Sequence, residues 1–191
     1  ARAVVLLCDY MPDGAFGLVL NRPTELPAST MVKLEPAVGE GNALPLCIGG
    51  PVEPDRGWIL LADAPEEPEY RTICEGVYLS TSPVLLRRVL STSPAPRARV
   101  LAGYAGWGPG QLDAELAESA WLIGKIDVDL VFDIAPGLMW ETAIRRLGAD
   151  PRRILVLPNA VDGELFHPQR AGDLVRRRHG LGDAFVLGFT G

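Results

Sequence analysis

Histidine is almost absent from this sequence, and its absence limits the kinds of site that the chain can form. Only His167 and His179 occur among the 191 residues, so the first 150 residues contain none. That part of the chain cannot build a Ser-His-Asp or Cys-His catalytic site, or a histidine-ligated metal site, from its own side chains. We therefore assign no catalytic residues, no metal ligands and no cofactor to it.

Cysteine is also scarce. Cys8, Cys47 and Cys74 are far apart and form no CxxC pair, so neither a zinc ribbon nor a thioredoxin-like redox motif is indicated. Each lies in or beside an apolar segment, where a free cysteine usually behaves as a small buried hydrophobe; a reactive thiolate would need electropositive surroundings. We expect reduced cysteines and a cytoplasmic location.

The sequence has no long hydrophobic run and no basic excess in its main body. No segment is apolar enough over sufficient length to span a membrane, and none resembles a secretion signal. Residues 1–150 carry 12 Lys and Arg against 20 Asp and Glu, whereas residues 151–191 carry 6 against 4. An acidic body repels nucleic-acid phosphates, so direct DNA binding is disfavoured and the expected partner is a protein or a small molecule.

What the sequence does contain is a series of short apolar segments separated by turns rich in glycine and proline. A Pro-Asp-Gly turn at 12–14 predicts a hairpin between the first two apolar segments. Residues 26–45 carry few signals and are predicted to form a short helix or a loop. Further strands are predicted at 46–52, 57–63, 72–80 and 97–106, and helices at 83–91, 111–123 and 140–147. This mixed order favours an α+β domain.

Two segments carry more specific signals. Ser82 and Pro83 are typical of an N-cap followed by the first helical residue, and the recurrence of LSTSP at 79–83 and 90–94 fits the entry and the exit of that helix. Residues 125–133 alternate, with Ile126, Val128, Leu130 and Phe132 on one side and Asp127, Asp129 and Asp133 on the other. This period of two predicts a half-exposed strand.

A glycine-rich loop at 103–110 lies between a predicted strand and a predicted helix, where many proteins bind phosphate. Its spacing matches neither the dinucleotide fingerprint nor the Walker pattern, and Pro109 lacks the backbone N–H that such a loop would use. The alternative is that the glycines permit positive φ and let Tyr104 or Trp107 pack against the backbone. A nucleotide-binding switch at this loop stays open as an alternative.

Four segments in this order resemble the AlgH/YqgE family of bacterial proteins: GAFGLVLNRP (14–23), GGPVEPDRGWILL (49–61), LSTSP (79–83) and GYAGWGPGQLDAEL (103–116). The resemblance covers residues 1–148 and continues through LMWETAIRRLG at 138–148. It implies a cytoplasmic α+β protein built on a curved, mixed, barrel-like β-sheet with flanking helices. Family members begin with a further strand, so the resemblance also implies that a domain at 1–150 lacks it.

The family has no established enzymatic activity, so the resemblance supplies no catalytic residues. It implies a non-enzymatic regulatory or interaction protein; the family's label of transcriptional regulator rests on no known DNA-binding motif. Polar residues at strand ends beside glycine turns suggest a ligand- or partner-binding site. The candidate residues are Asn21, Arg22, Gly49, Gly50, Asp55, Arg56, Tyr104, Trp107 and Gln111.

We hypothesise that three of these residues, Arg22, Arg56 and Gln111, line a common cleft. The structural alternative is that Asn21 and Asp55 cap turns and that Arg22 pairs with an acid.

The remainder of the chain, 149–191, differs in character. PNAVDGELFHP at 158–168 and FVLGFTG at 185–191 resemble the interdomain segment of a family-four type retaining glycosyltransferase. In such enzymes the residues that bind the sugar nucleotide come later in the chain, so an inactive fragment or fusion is the second functional alternative. We expect residues 151–191 to be foreign to the first domain and residues 155–191 to be poorly packed on it, with FVLGFTG as a strand.

Overall fold

The computed structural model describes residues 2–32, 34–35, 38, 41–118 and 120–149, together with the backbone of two short strands further on. The strands are β1 (Val5–Met11), β2 (Gly14–Val19), β3 (Pro23–Pro27), β4 (Pro45–Ile48), β5 (Val52–Leu61), β6 (Arg71–Cys74), β7 (Val77–Ser80), β8 (Ala98–Trp107), β9 (Leu155–Leu157) and β10 (Val186–Gly188). The helices are α1 (Ala28–Met31), α2 (Pro83–Ser91), α3 (Gln111–Ala117), α4 (Val128–Phe132) and α5 (Pro136–Arg146).

The first eight strands form one mixed sheet. Its order is β1-β2-β8-β5-β7-β6, with β4 added to β8 and β3 added to β4. The β4–β8 pair is parallel, whereas the other pairs are antiparallel. Arg71 on one outer strand forms an ion pair of 2.9 Å with Asp9 on the other, so the sheet curls into a nearly closed barrel. The predicted α+β class and barrel-like sheet are confirmed.

The barrel interior is filled by alternate residues of its strands, as the period of two requires. Leu18, Leu60, Leu101 and Met139 are fully buried there, and Met139 comes from α5 rather than from the sheet. A second core lies on the other face, where Leu85, Leu86, Val89 and Leu90 of α2 cover Ile59, Leu61 and Val100. The predicted start of α2 at Pro83 is confirmed, with Ser82 as its N-cap residue.

The prediction of a strand at 125–133 is wrong, because this segment contains helix α4. Asp127 is the N-cap residue, and its carboxylate accepts hydrogen bonds from the backbone N–H groups of Asp129 (3.1 Å) and Leu130 (3.2 Å). An Asx cap stabilises the first turn of a helix and can outweigh an alternation only a few residues long. Arg97, which lies just before β8, and Arg99 of β8 then bind the end of the helix.

Other differences are smaller. The segment predicted as one strand at 72–80 is a hairpin of β6 and β7, which turns at Gly76, where φ is +78°. Strand β3 overlaps only the start of the segment that carried few signals, and it pairs with β4. Helix α3 ends at Ala117, short of the predicted limit, and Ile123 beyond it is 73% exposed.

Beyond residue 150, β9 and β10 pair in parallel, with Val186 opposite Leu155. A strand is therefore present within the predicted segment at 185–191. Most of the glycosyltransferase-like segment, including His167 and residues 158–168, lies outside the described residues. The predicted boundary between domains at 150 stays a prediction.

Candidate functional site

The Gly49-Gly50 turn lies directly against the backbone of β8. A Cβ atom added to Gly50 would overlap the main-chain carbonyl group of Tyr104, and one added to Gly49 would overlap the carbonyl oxygen of Gly103. Gly103 itself has φ of +70°, a conformation that glycine adopts without the steric cost of a Cβ. These glycines thus allow two backbones to touch, and they place Tyr104 beside the beginning of β5.

The first candidate site is a group of five side chains around Glu53, called the Glu53 cluster: Phe16, Glu53, Arg56, Trp58 and Tyr104. The Tyr104 hydroxyl donates a hydrogen bond of 3.1 Å to Oε1 of Glu53, and Nη1 of Arg56 lies 3.1 Å from Oε2 of the same carboxylate. The Arg56 guanidinium carbon lies 4.6 Å from the centre of the Trp58 ring. The hydrogen bond to Glu53 raises the pKa of Tyr104.

Three aromatic rings support the polar groups of this cluster. The ring of Phe16 lies 4.7 Å from that of Trp58 and 5.2 Å from that of Tyr104, centre to centre. Trp58 is 8% exposed, and its indole N–H has no acceptor among the described residues. Glu53 adopts φ of +46°, which is unusual for a residue with a side chain. The cluster therefore combines the buried ring of Trp58 with the exposed side chains of Glu53 and Arg56, and the backbone of Glu53 is strained.

The second candidate site is the Glu115 cluster, formed by Trp107, Gln111, Glu115 and Trp121. The indole N–H groups of Trp107 (3.0 Å) and Trp121 (2.7 Å) both donate to Oε2 of Glu115, and the Gln111 amide donates to Oε1 (2.9 Å). The two indole rings meet edge to face, with centres 5.9 Å apart. One carboxylate on α3 thus fixes the end of β8 and the segment that follows the helix.

Glu115 is expected to make the stability of the protein depend on pH. Burial opposes its charged form, but the hydrogen bonds from Trp121, Gln111 and Trp107 outweigh burial, so its pKa is lowered. A carboxylate with a lowered folded-state pKa stabilises the fold above its unfolded-state pKa, and this stabilisation is lost as pH falls through the folded-state pKa.

We expect Glu115→Gln to lower the free energy of unfolding at pH 7 by about 2 kcal/mol, since hydrogen bonds to a charged group are lost. The free energy of unfolding of the variant should also fall less than that of the unchanged protein as the pH is lowered. Urea unfolding followed by tryptophan fluorescence between pH 3 and pH 7 measures both effects. Glu118→Gln, at an exposed position on the same segment, is the control and should change neither.

The structure places the remaining predicted residues as follows. The Asn21 amide donates to the carbonyl of Arg2 (2.8 Å) and accepts from the N–H of Val4 (2.9 Å), so it holds the chain just before β1. Arg22 accepts a backbone hydrogen bond from Ile48 (2.8 Å). Asp55 is exposed beside the Glu53 cluster.

Gly50, Arg56 and Tyr104 are thus brought together at the Glu53 cluster, whereas Trp107 and Gln111 belong to the Glu115 cluster. A cleft shared by Arg22, Arg56 and Gln111 stays a prediction.

Sequence reasoning missed the two residues on which these clusters depend, Glu53 and Glu115. Both lie inside the segments that carried the family resemblance; Glu53 directly follows the predicted strand at 46–52, and Glu115 lies within a predicted helix. A usable signal was present for Glu115, because Gln111 and Glu115 are four residues apart on a predicted helix and therefore share a face. No comparable spacing marked Glu53, because the position of its side chain depends on a positive φ that the sequence does not reveal.

The glycine loop gives little support to phosphate binding. The N–H of Gly108 donates to the Gln111 side chain (3.1 Å), and Pro109 has no N–H to offer. Gly110 has φ of +69° and precedes a helix of 7 residues. The positive φ at Gly103 and Gly110 agrees with the interpretation that these glycines are needed for the backbone conformation of the loop.

The cysteines and acids of the described residues show no sign of redox or metal chemistry. Burial raises the pKa of Cys8 to about 12 and also raises those of Cys47 and Cys74. Over the described ranges, no three His, Cys, Asp or Glu side chains are grouped so that they could hold a metal ion. Within the same ranges, no helix has the length and apolar character that crossing a bilayer requires.

The fold defines an α+β protein built on one nearly closed barrel, and comparison with known proteins gives its family. The profile described as "DUF179: AlgH-like" matches residues 1–152, and the chain belongs to this family. A UPF0301 protein of Anaeromyxobacter dehalogenans is 39% identical over 164 residues, covering 81% of this chain and 83% of its own. One from Thioalkalivibrio sulfidiphilus is 35% identical over 151 residues, covering 78% and 81%.

Two solved structures share the fold. The solution structure of the AlgH protein from Pseudomonas aeruginosa superposes with a TM-score of 0.63 at 32% identity, covering 78% of this chain and 80% of that one. A crystal structure of a Corynebacterium diphtheriae protein gives a TM-score of 0.59 at 18% identity, covering 76% and 78%. At that identity the second structure is similar in fold alone.

Proposed function

We propose that this AlgH-like protein is a non-enzymatic, cytoplasmic interaction protein that binds a protein partner through the exposed part of the Glu53 cluster. The observation that carries the proposal is the position of Arg56, which is held over Trp58 by the same carboxylate that binds Tyr104. A regulatory role, which we include in the proposal, would then be exerted through this partner rather than through direct contact with DNA.

Three properties of the cluster suit protein recognition. Arginine, tyrosine and tryptophan are enriched among the residues that dominate binding energy at protein interfaces. Arg56 and Tyr104 are already fixed by Glu53, so these two side chains lose less conformational entropy when a partner binds than mobile side chains would. The neighbouring residues of β5, from Val52 to Asp55, are exposed and offer both apolar and acidic surface.

The chemistry of the nucleophilic and acidic side chains supports the proposed non-enzymatic role. The thiols of Cys8, Cys47 and Cys74 have raised pKa values, which keeps them protonated and weakly nucleophilic at neutral pH. The carboxylate of Glu115 has a lowered pKa and three donors bound to it, so it is a poor proton acceptor. Free rather than disulfide-bonded cysteines suit a reducing compartment.

Site-specific photo-crosslinking in the native cell tests the proposal. A photoreactive amino acid at Asp55 should trap a discrete protein adduct, and Arg56→Ala in the same chain should reduce its yield at least tenfold, since loss of a hot-spot residue costs about 2 kcal/mol or more of binding. The same amino acid at Val84, which is 68% exposed on α2, is the control position.

Equal adducts at both positions, or an adduct at Asp55 that survives Arg56→Ala, would contradict the proposal. Arg56→Ala itself should fold normally, because an exposed ion pair contributes only about 0–1 kcal/mol to stability. Thermal unfolding of the purified variant checks this.

A further inference from the structure

A cavity of about 260 Å³ lies at a place that the function proposed above does not use. It is an open pocket that lies between the beginning of β4, the beginning of β8 and the segment that joins α4 to α5. Its lining is mostly apolar and includes Cys47, Ala98, Arg99, Phe132, Ile134 and Pro136. The deep residues Cys47, Ala98 and Arg99 are buried, whereas Asp133 and Ala135 are exposed and mark the mouth.

Arg99 is the unusual member of this lining, because it is a charged residue only 7% exposed. Its Nε donates to the carbonyl oxygen of Val131 and its Nη2 to that of Ile134 (3.1 Å). Both acceptors are neutral main-chain groups, and in the part of the chain that the structure describes no carboxylate lies within ion-pair distance of Arg99. The thiol of Cys47 is also beside it.

The acid at the mouth is already paired with another arginine, which it shares with Asp129. Arg97 donates to Oδ1 of Asp133 (2.7 Å), also forms an ion pair with Oδ2 of this residue, and contacts Asp129 at 2.8 Å. Asp133 therefore does not serve as the direct counter-ion of Arg99, although its negative charge disfavours a ligand of high negative charge at the mouth. The cavity thus presents one buried cation, apolar walls and an entrance unfavourable to dianions.

We propose that this cavity binds a small monocarboxylate with a compact apolar body, its carboxylate against Arg99 and its body against Phe132, Ile134 and Pro136. A guanidinium matches a carboxylate with two parallel hydrogen bonds, and it does so most strongly where water is excluded. Pockets for drug-sized ligands usually measure about 300–1,000 Å³, so a cavity slightly below that range suits a molecule no larger than benzoate.

Benzoate is the probe for the experiment, with benzyl alcohol as a neutral molecule of the same size and inorganic phosphate as an anion without an apolar body. Titration of the isotope-labelled full chain, followed by NMR, should give saturable shifts at the amides of Ala98, Arg99 and Ile134 with benzoate. Benzyl alcohol and phosphate should each bind at least tenfold more weakly. Absence of saturation with benzoate, or equal binding of either control molecule, would overturn the proposal.

Two variants test the cavity independently of each other. Arg99→Met should reduce benzoate affinity at least tenfold, and Ala135→Leu should do the same by narrowing the mouth while leaving Arg99 in place. Ala64→Leu, at an exposed position that lines a different cavity beside α2, is the matched control and should leave binding unchanged.

If Arg99→Met fails to fold, Ala135→Leu alone decides the question. Unchanged benzoate affinity in Ala135→Leu would overturn the proposal.

Discussion

Gly50→Ala is expected to lower the free energy of unfolding by at least about 3 kcal/mol, or to prevent folding altogether. The new methyl group would overlap the main-chain atoms of Tyr104 and the N atom of Ala105, and backbone in the middle of a sheet cannot move aside as a flexible side chain can. Relief would require β4 and β5 to separate from β8. Urea unfolding of the purified variant, followed by circular dichroism, measures the loss.

Gly57→Ala is the matched control for this prediction. Gly57 lies on β5, the strand that follows Gly50, and an added Cβ would meet nothing within 4 Å. Alanine is less costly than glycine inside a strand, so stability should stay the same or rise by up to about 1 kcal/mol. A loss at Gly57 as large as that at Gly50 would show that the overlap with Tyr104 is not the cause.

Arg99→Met is expected to lower the free energy of unfolding by about 2–4 kcal/mol, because it leaves the carbonyl groups of Val131 and Ile134 buried without a donor. Methionine retains much of the apolar stem of the side chain, so lost packing contributes little. The end of α4 should loosen first, which faster hydrogen exchange of the amides at 128–134 would reveal.

Arg97→Met is the comparison for this second prediction, since Arg97 lies two residues from Arg99, just before β8, and also binds α4 and its C-cap residue. Its partners Asp129 and Asp133 are exposed carboxylates, and exposed ion pairs contribute little to stability because solvent screens them. Arg97→Met should therefore cost less than Arg99→Met. A larger loss of stability in Arg97→Met than in Arg99→Met would mean that surface ion pairs, rather than hydrogen bonds to the carbonyl groups of Val131 and Ile134, stabilise this helix.

Much of the fold could be predicted from local signals. The Pro-Asp-Gly turn gave the first hairpin, and the Ser82-Pro83 pair gave the start of α2, because these residues act through their own backbone geometry. Helix α4 was missed for the opposite reason: it has only five residues, and its stability depends on Arg97 and Arg99, which lie some thirty positions earlier in the chain. No window of sequence around α4 contains that information.

The candidate site shows the same limit. Gly50, Arg56 and Tyr104 could be selected from the sequence because glycine turns and strand ends are visible there. That they meet at Glu53 depends on the pairing of Val52 with Tyr104, a register that is interrupted by a bulge before Gly57. Such a bulge changes which side chains face one another, and nothing in the local sequence fixes its position.

The position of β8 in the chain has a consequence for biosynthesis. This strand hydrogen-bonds to β2, β4 and β5, so three earlier strands share a partner that emerges from the ribosome after all of them. Until residues 98–107 are available, the edges of β2 and β5 have no neighbour on that side and expose apolar groups. We expect nascent chains that end before Ala98 to associate with chaperones or aggregate, and those that extend through α5 to become resistant to protease.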